Sequence, residues 1–152
     1  MKKAVLILVL AMLAVSVFGN IQSAIDTDPM SGDEVVTIVI YSDDAGSIFV
    51  TRITNGTLIE MFLFIPGVYL GDSDDRFIIK LDDEEPVYYG STTSTDGTAK
   101  FLLFSDACLV IDDLINGYKM VTRVYDYNGT AYTDVFDISE FMGTYYKYFG
   151  DN

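Results

Sequence analysis

The chain contains no histidine, no tryptophan and a single cysteine, Cys108. Without histidine there is no Ser-His-Asp triad, no His-assisted cysteine nucleophile and no imidazole metal ligand. One cysteine can neither close an internal disulfide nor build an all-cysteine zinc site, and Cys108 reads as a small buried hydrophobe. Positive charge is scarce too, with 9 Lys and Arg against 23 Asp and Glu, a formal net charge of −14 over 152 residues. Such a balance repels phosphates and argues against nucleic acid and anionic lipid; it favours a cationic partner, although exposed carboxylates also keep an aromatic-rich domain soluble. Carboxylate chemistry alone survives these absences. A glycosidase needs two facing carboxyl groups, one with a raised pKa, and the sequence singles out no such pair. The expectation is a non-enzyme without cofactor.

What is present belongs to a folded chain: half the residues are apolar and 14% aromatic, at a length suited to one core. Residues 1–19 have the form of a secretory signal, with Lys2 and Lys3, an apolar run shorter than a spanning helix, and small residues at the end. Cleavage after Gly19 or after Ala24 fits, leaving an exported, periplasmic or extracellular chain without a stable membrane anchor. Residues 20–34, with Pro29 and Gly32, read as a polar leader. Residues 35–152 read as a single β domain.

The domain is organised around residues 69–104. There Arg76, Ile78, Lys80 and Asp82 alternate with Phe77, Ile79 and Leu81, so one face is wet and the other core. An acidic turn at 82–85 and a short strand at 87–89 follow. The β-branched run at 35–41 reads as a strand covered on both faces. Asn55-Gly56 and Asn128-Gly129 mark hairpins. Lys119 and Arg123 share a half-exposed face with Val121 and Tyr125. One helix is expected at about 106–116, capped by Asp106, and a short one at about 139–148. Roughly eight strands spaced by turns predict a mainly β fold, an antiparallel sandwich or flattened barrel.

Two groups of residues invite a functional reading. Asp72, Asp74 and Asp75 resemble the opening of a calcium loop but lack its glycine and distal glutamate. The 11 Tyr and 10 Phe offer large apolar bodies, with polar tips on the tyrosines, suited to sugar or protein partners, and equally to cross-strand pairs inside a sheet. The candidate binding residues are Arg76, Lys80, Tyr88, Tyr89, Tyr125 and Tyr127.

The order of several segments is similar to the VasI-like exported family associated with type VI secretion loci and prophages. These are Asp28-Pro29-Met30-Ser31, Ile48-Phe49-Val50-Thr51-Arg52-Ile53, Tyr69-Leu70-Gly71-Asp72, and Ser94-Thr95-Asp96-Gly97-Thr98-Ala99. Ile53 stands where family members often carry cysteine, and Tyr89 or Gly90 near their tryptophan. The resemblance implies an envelope-associated accessory protein without assigned catalytic residues. The functional expectation is an adaptor binding a protein partner in the cell envelope, with an inhibitor or immunity protein against a cationic, lysozyme-like hydrolase and a carbohydrate-binding module as alternatives.

Overall fold

The computed structural model describes residues 20–71 and 75–150. Four strands, β1 (Ile21–Thr27), β2 (Glu34–Tyr41), β3 (Ile48–Thr54) and β4 (Leu58–Phe64), pair antiparallel in chain order. Then come β5 (Arg76–Leu81), β6 (Val87–Thr93) and β7 (Ala99–Leu102), helix α1 (Phe104–Asn116), β8 (Lys119–Tyr125), β9 (Ala131–Asp137) and helix α2 (Phe141–Phe149). The spatial order is β1-β2-β3-β4-β7-β6-β5-β8-β9. Residues 87–90 of β6 pair with β5, whereas residues 91–93 pair with β7. The sheet turns over at that point, giving the two layers expected of a sandwich.

Between the layers, Phe49 of β3 meets Phe77 of β5 and Phe136 of β9 edge-on, with centroids 6.5 and 6.2 Å apart. All three rings are fully buried, and each such burial is worth roughly 1.5–3 kcal/mol. Strand β2 is apolar on both sides, as its sequence predicts. Val36, Ile38 and Ile40 enter this core, while Val39 joins Val50, Phe62 and Ala99 in a second cluster on the other face. Helix α1 adds Ala107, Val110, Ile111 and Leu114 to the main core.

Three boundaries differ from the sequence reading. The segment taken as a leader holds β1, whose full ladder with β2 runs from Ile21 opposite Ile40 to Thr27 opposite Glu34. It is an edge strand exposed over its last three residues, so it lacks the alternation that marks a strand half-buried along its length. Among the described residues the strands therefore number nine. Helix α1 begins at Phe104 after Leu103, and the Asp106 N–H donates to the Leu103 carbonyl. Asp106 thus lies within the first turn, where its charge suits the helix dipole, instead of capping it. The last helix starts at Phe141, packed in the core.

The ends of the sheet approach each other. The Asn20 Nδ2 donates to the Asp137 carbonyl at 2.6 Å, and the Asp43 N–H to the Val135 carbonyl at 2.8 Å. On β1, Tyr148 Oη donates to Ser23 Oγ at 3.1 Å, tying α2 to that edge.

Aspartates organise the turns. At 55–56 both φ angles are positive, +49° and +71°, as a type I′ turn demands. The second Asn-Gly differs: Gly129 alone has positive φ, and Asp126 Oδ1 accepts the Asn128 and Thr130 N–H groups. Asp96 accepts the hydroxyls of Ser94 and Thr98 and the Thr98 N–H, which hold its pKa down to about 2. Asp33, Asp44 and Asp137 are lowered by similar donors, and in Asp126 backbone donors outweigh the upward push of burial. Burial raises Tyr41, Tyr89, Tyr132 and Tyr145 above the ordinary phenol value.

These features generate three expectations. A Cβ on Gly97, at φ +72°, would overlap the Tyr69 ring, whereas one on Gly129, at φ +81°, meets open space. Gly97→Ala should therefore cost about 2–4 kcal/mol in denaturant unfolding and Gly129→Ala only about 1 kcal/mol. A chain beginning at Asn20 should unfold cooperatively near the full-length midpoint. One beginning at Ile25 loses buried Ile21 and the Ser23 contact, and its midpoint should drop by several degrees or more, corresponding to at least about 1–2 kcal/mol. The aspartate contributions, with folded pKa values below 3.8, are present above that pH and lost as pH falls toward 2. The tyrosine contributions are intact below 10.0 and lost as pH rises past it. With no histidine between, the melting midpoint should be flat from about pH 5 to 9 and fall on both sides.

Candidate functional site

The two-residue period of a strand sends alternate side chains to opposite faces. In β5 it sends Phe77, Ile79 and Leu81 into the core and turns Arg76, Ile78 and Lys80 to the other face, where Ile78 is itself buried and Lys80 half-buried. In β8 it buries Met120, Thr122 and Val124, and turns Lys119, Val121, Arg123 and Tyr125 outward. The ladder sets these outward residues side by side, Ile78 opposite Arg123 and Lys80 opposite Val121. On the flanks, Tyr88 of β6 lies beside Ile78, and Thr133 of β9 beside Arg123.

The face therefore collects four of the chain's 9 basic residues. The Arg76 guanidinium lies over the Tyr125 ring at 4.5 Å, a contact worth about 0.5–1 kcal/mol when exposed. Arg123 Nε donates to Thr133 Oγ1 at 2.8 Å, which orients its guanidinium. Among the described residues no carboxylate lies within 4.0 Å of Lys80, Lys119 or Arg123. At the far end of the face, Asp82 turns its carboxylate onto the Tyr118 and Lys119 N–H groups. Asp83 and Asp82 together raise the pKa of Tyr118. Helix α1 lies on the opposite side of β5 and β8, where its Ala107, Val110, Ile111 and Leu114 share the core with Phe77, Ile79, Met120 and Val124.

Of the residues singled out in the sequence, Arg76, Lys80, Tyr88 and Tyr125 come together here. Tyr89 does not. It faces the opposite side, half-buried against the core, where burial and then Asp113, Asp106 and Glu84 raise its pKa. Tyr127 lies beyond the end of β8, its ring 5.6 Å from Tyr69 in an edge-on pair. Lys119 and Arg123, read from the sequence as sharing a half-exposed face with Val121 and Tyr125, belong to the face although they were not among the candidate binding residues. Of the calcium candidates, Asp72 and Asp74 lie outside the described residues, and Asp75 is exposed just before β5. The described residues contain no group of three or more metal-ligating side chains. Cys108 is half-buried on α1.

A shallow depression of about 490 Å³ opens elsewhere, where the sheet ends approach, lined by Asn20, Ser42, Asp43, Asp137, Ser139 and Glu140. Its Asp137 carboxylate accepts the Ser139 N–H and hydroxyl, which hold its pKa below the usual value. That favours a permanently ionised group over a proton donor.

No protein-family model matches the chain, and no curated protein sequence matches it significantly. Its strand arrangement is nevertheless similar to a solved structure, invasion associated protein B from Bartonella henselae. The similarity has a TM-score of 0.58 at 12% sequence identity, and covers 87% of this chain and 92% of that one. Likeness at that identity is a likeness of fold: the chain shares the architecture of the Bartonella protein over most of both lengths.

Proposed function

We propose that this is an exported, non-enzymatic accessory protein that binds a protein partner in the cell envelope through the outer face of β6, β5, β8 and β9. The observation that carries the reading is the cluster of exposed Arg76, Lys119, Arg123 and Tyr88 with half-buried Lys80 and Tyr125, on a chain whose net charge is −14. Arginine and tyrosine are the residues that most often anchor protein interfaces. The signal-like residues 1–19 support export. The segment order resembling the VasI-like family, together with the architecture shared with an invasion-associated protein, supports an accessory role at the envelope.

Each shifted carboxyl pKa among the described residues is shifted downward, as in Asp96 and Asp137. A glycosidase requires one shifted upward to serve as acid. A carbohydrate-binding module requires a flat tyrosine platform, yet the exposed Tyr69 and Tyr127 rings meet at 66°, and exposed Tyr146 meets half-buried Tyr145 at 78°. Inhibition of a cationic hydrolase is a second reading, supported by the exposed acidic residues Asp83, Glu84 and Glu85. It would use the opposite sign of charge from the β5–β8 face, and predicts salt-sensitive inhibition of lysozyme.

A photo-crosslinking residue placed at Tyr88 in the full chain, expressed with its first 19 residues, tests the main reading. Adducts to one envelope protein should form from position 88 and not from Lys147 on α2. Retention of the chain in the cytoplasm, or equal labelling from both positions, would overturn it.

A further inference from the structure

The cations of the outer face fall one to each row of the ladder. Arg76 stands beside Tyr125, Arg123 beside Ile78, and Lys80 beside Val121. Lys119 follows on β8, its carbonyl accepting the Asp82 N–H at 2.9 Å. The charges thus zigzag between neighbouring strands, each step advancing about 6.8 Å, twice the rise per residue of a strand. An extended polypeptide repeats every second side chain at that same pitch of about 6.8 Å.

We propose that this face takes an extended acidic segment of a protein, with carboxylates at alternate residues, each meeting one cation of the zigzag. The proposal rests on the partner-binding reading above and supplies the chemistry of the partner. Between the charges, Ile78 and Val121 give an apolar floor, and Tyr88, 67% exposed, stands as a wall on the β6 side. The three steps stop at the acidic turn that begins with Asp82, where Lys119 also stands opposite Asp137 of β9. A uniform polyanion such as a nucleic acid strand would run on into those like charges, whereas a polypeptide can change composition after its last carboxylate. The net charge does not forbid the contact. Beyond the Debye length of about 8–10 Å, other surface carboxylates are largely screened, so the local cations set the attraction.

Two labelled peptides, each of five Glu and five Thr, test the pitch: one alternating, one with the residues in two blocks. Fluorescence anisotropy with the folded chain at about 0.1–0.15 M salt, where the Debye length is about 8–10 Å, should show the alternating peptide bound at least about tenfold more tightly, the difference shrinking as salt rises further. Arg123→Glu and Lys80→Glu should each weaken it about tenfold or more, Arg123→Gln less, and Lys147→Glu on α2 not at all, with unchanged circular dichroism throughout. Equal affinity for the two peptides, indifference to both charge reversals, or tighter binding of a single-stranded oligonucleotide of equal charge would each overturn the proposal. An envelope adduct from position 88 that survives Arg123→Glu would sink the acidic-segment proposal while leaving the accessory role standing. Selective alternating-peptide binding without an envelope adduct would support the proposal and count against that role.

Discussion

Strand β6 divides its hydrogen bonds between two neighbours on opposite layers, and the rest of the architecture depends on that division. A ladder handed from β5 to β7 within seven residues forces the sheet to turn over, so the inner faces of β3 and β5 come to oppose each other and Phe49 can reach Phe77. At the changeover sits Gly90, where a Cβ would approach Leu103 Cδ1 to 2.8 Å. The missing side chain lets the start of α1 lie against the bend, with the Leu103 N–H donating to the Gly90 carbonyl. Helix, bend and core are thus one packing problem, solved at a residue that contributes no side chain.

The same two-residue period sorts charge. Positions 76 and 80 share one parity on β5, and 119 and 123 share one on β8; the antiparallel ladder brings both sets outward on adjoining strands. Composition reports a strongly acidic molecule. Strand geometry gives that molecule a basic face, because alternation segregates side chains that the linear sequence intersperses with acids and apolar residues. Net charge sets how the whole chain repels its surroundings, while local register sets what a surface of a few rows attracts.

Alternation made β5, β8 and their buried faces legible, and it already separates Tyr88 from Tyr89, which as neighbours on one strand must point apart. Long-range order was not legible. Nothing in residues 104–116 announces that the chain returns through α1 to lay β8 beside β5, so Lys119 and Arg123 could be read as exposed but not as neighbours of Lys80. Strand β1 escaped because an edge strand with a polar, exposed end carries no strict pattern, and its pairing with β2 is a property of the partner as much as of itself. Lys100 escaped for the opposite reason: it is fully buried within an apolar strand, its Nζ 3.4 Å from the Gly71 carbonyl, where lysine is seldom found.

Asn20, just before β1, and Asp43, just after β2, donate to the Asp137 and Val135 carbonyls of β9, so the two ends of the sheet are held near each other at one corner, while the far end of β1, residues 25–27, stays exposed. Losing that corner would free more of the edge of β9 beside strands as apolar as β2 and β3, the combination from which intermolecular strand pairing begins. The few polar contacts at the meeting point of the sheet ends therefore limit how much strand edge the molecule offers to another copy of itself.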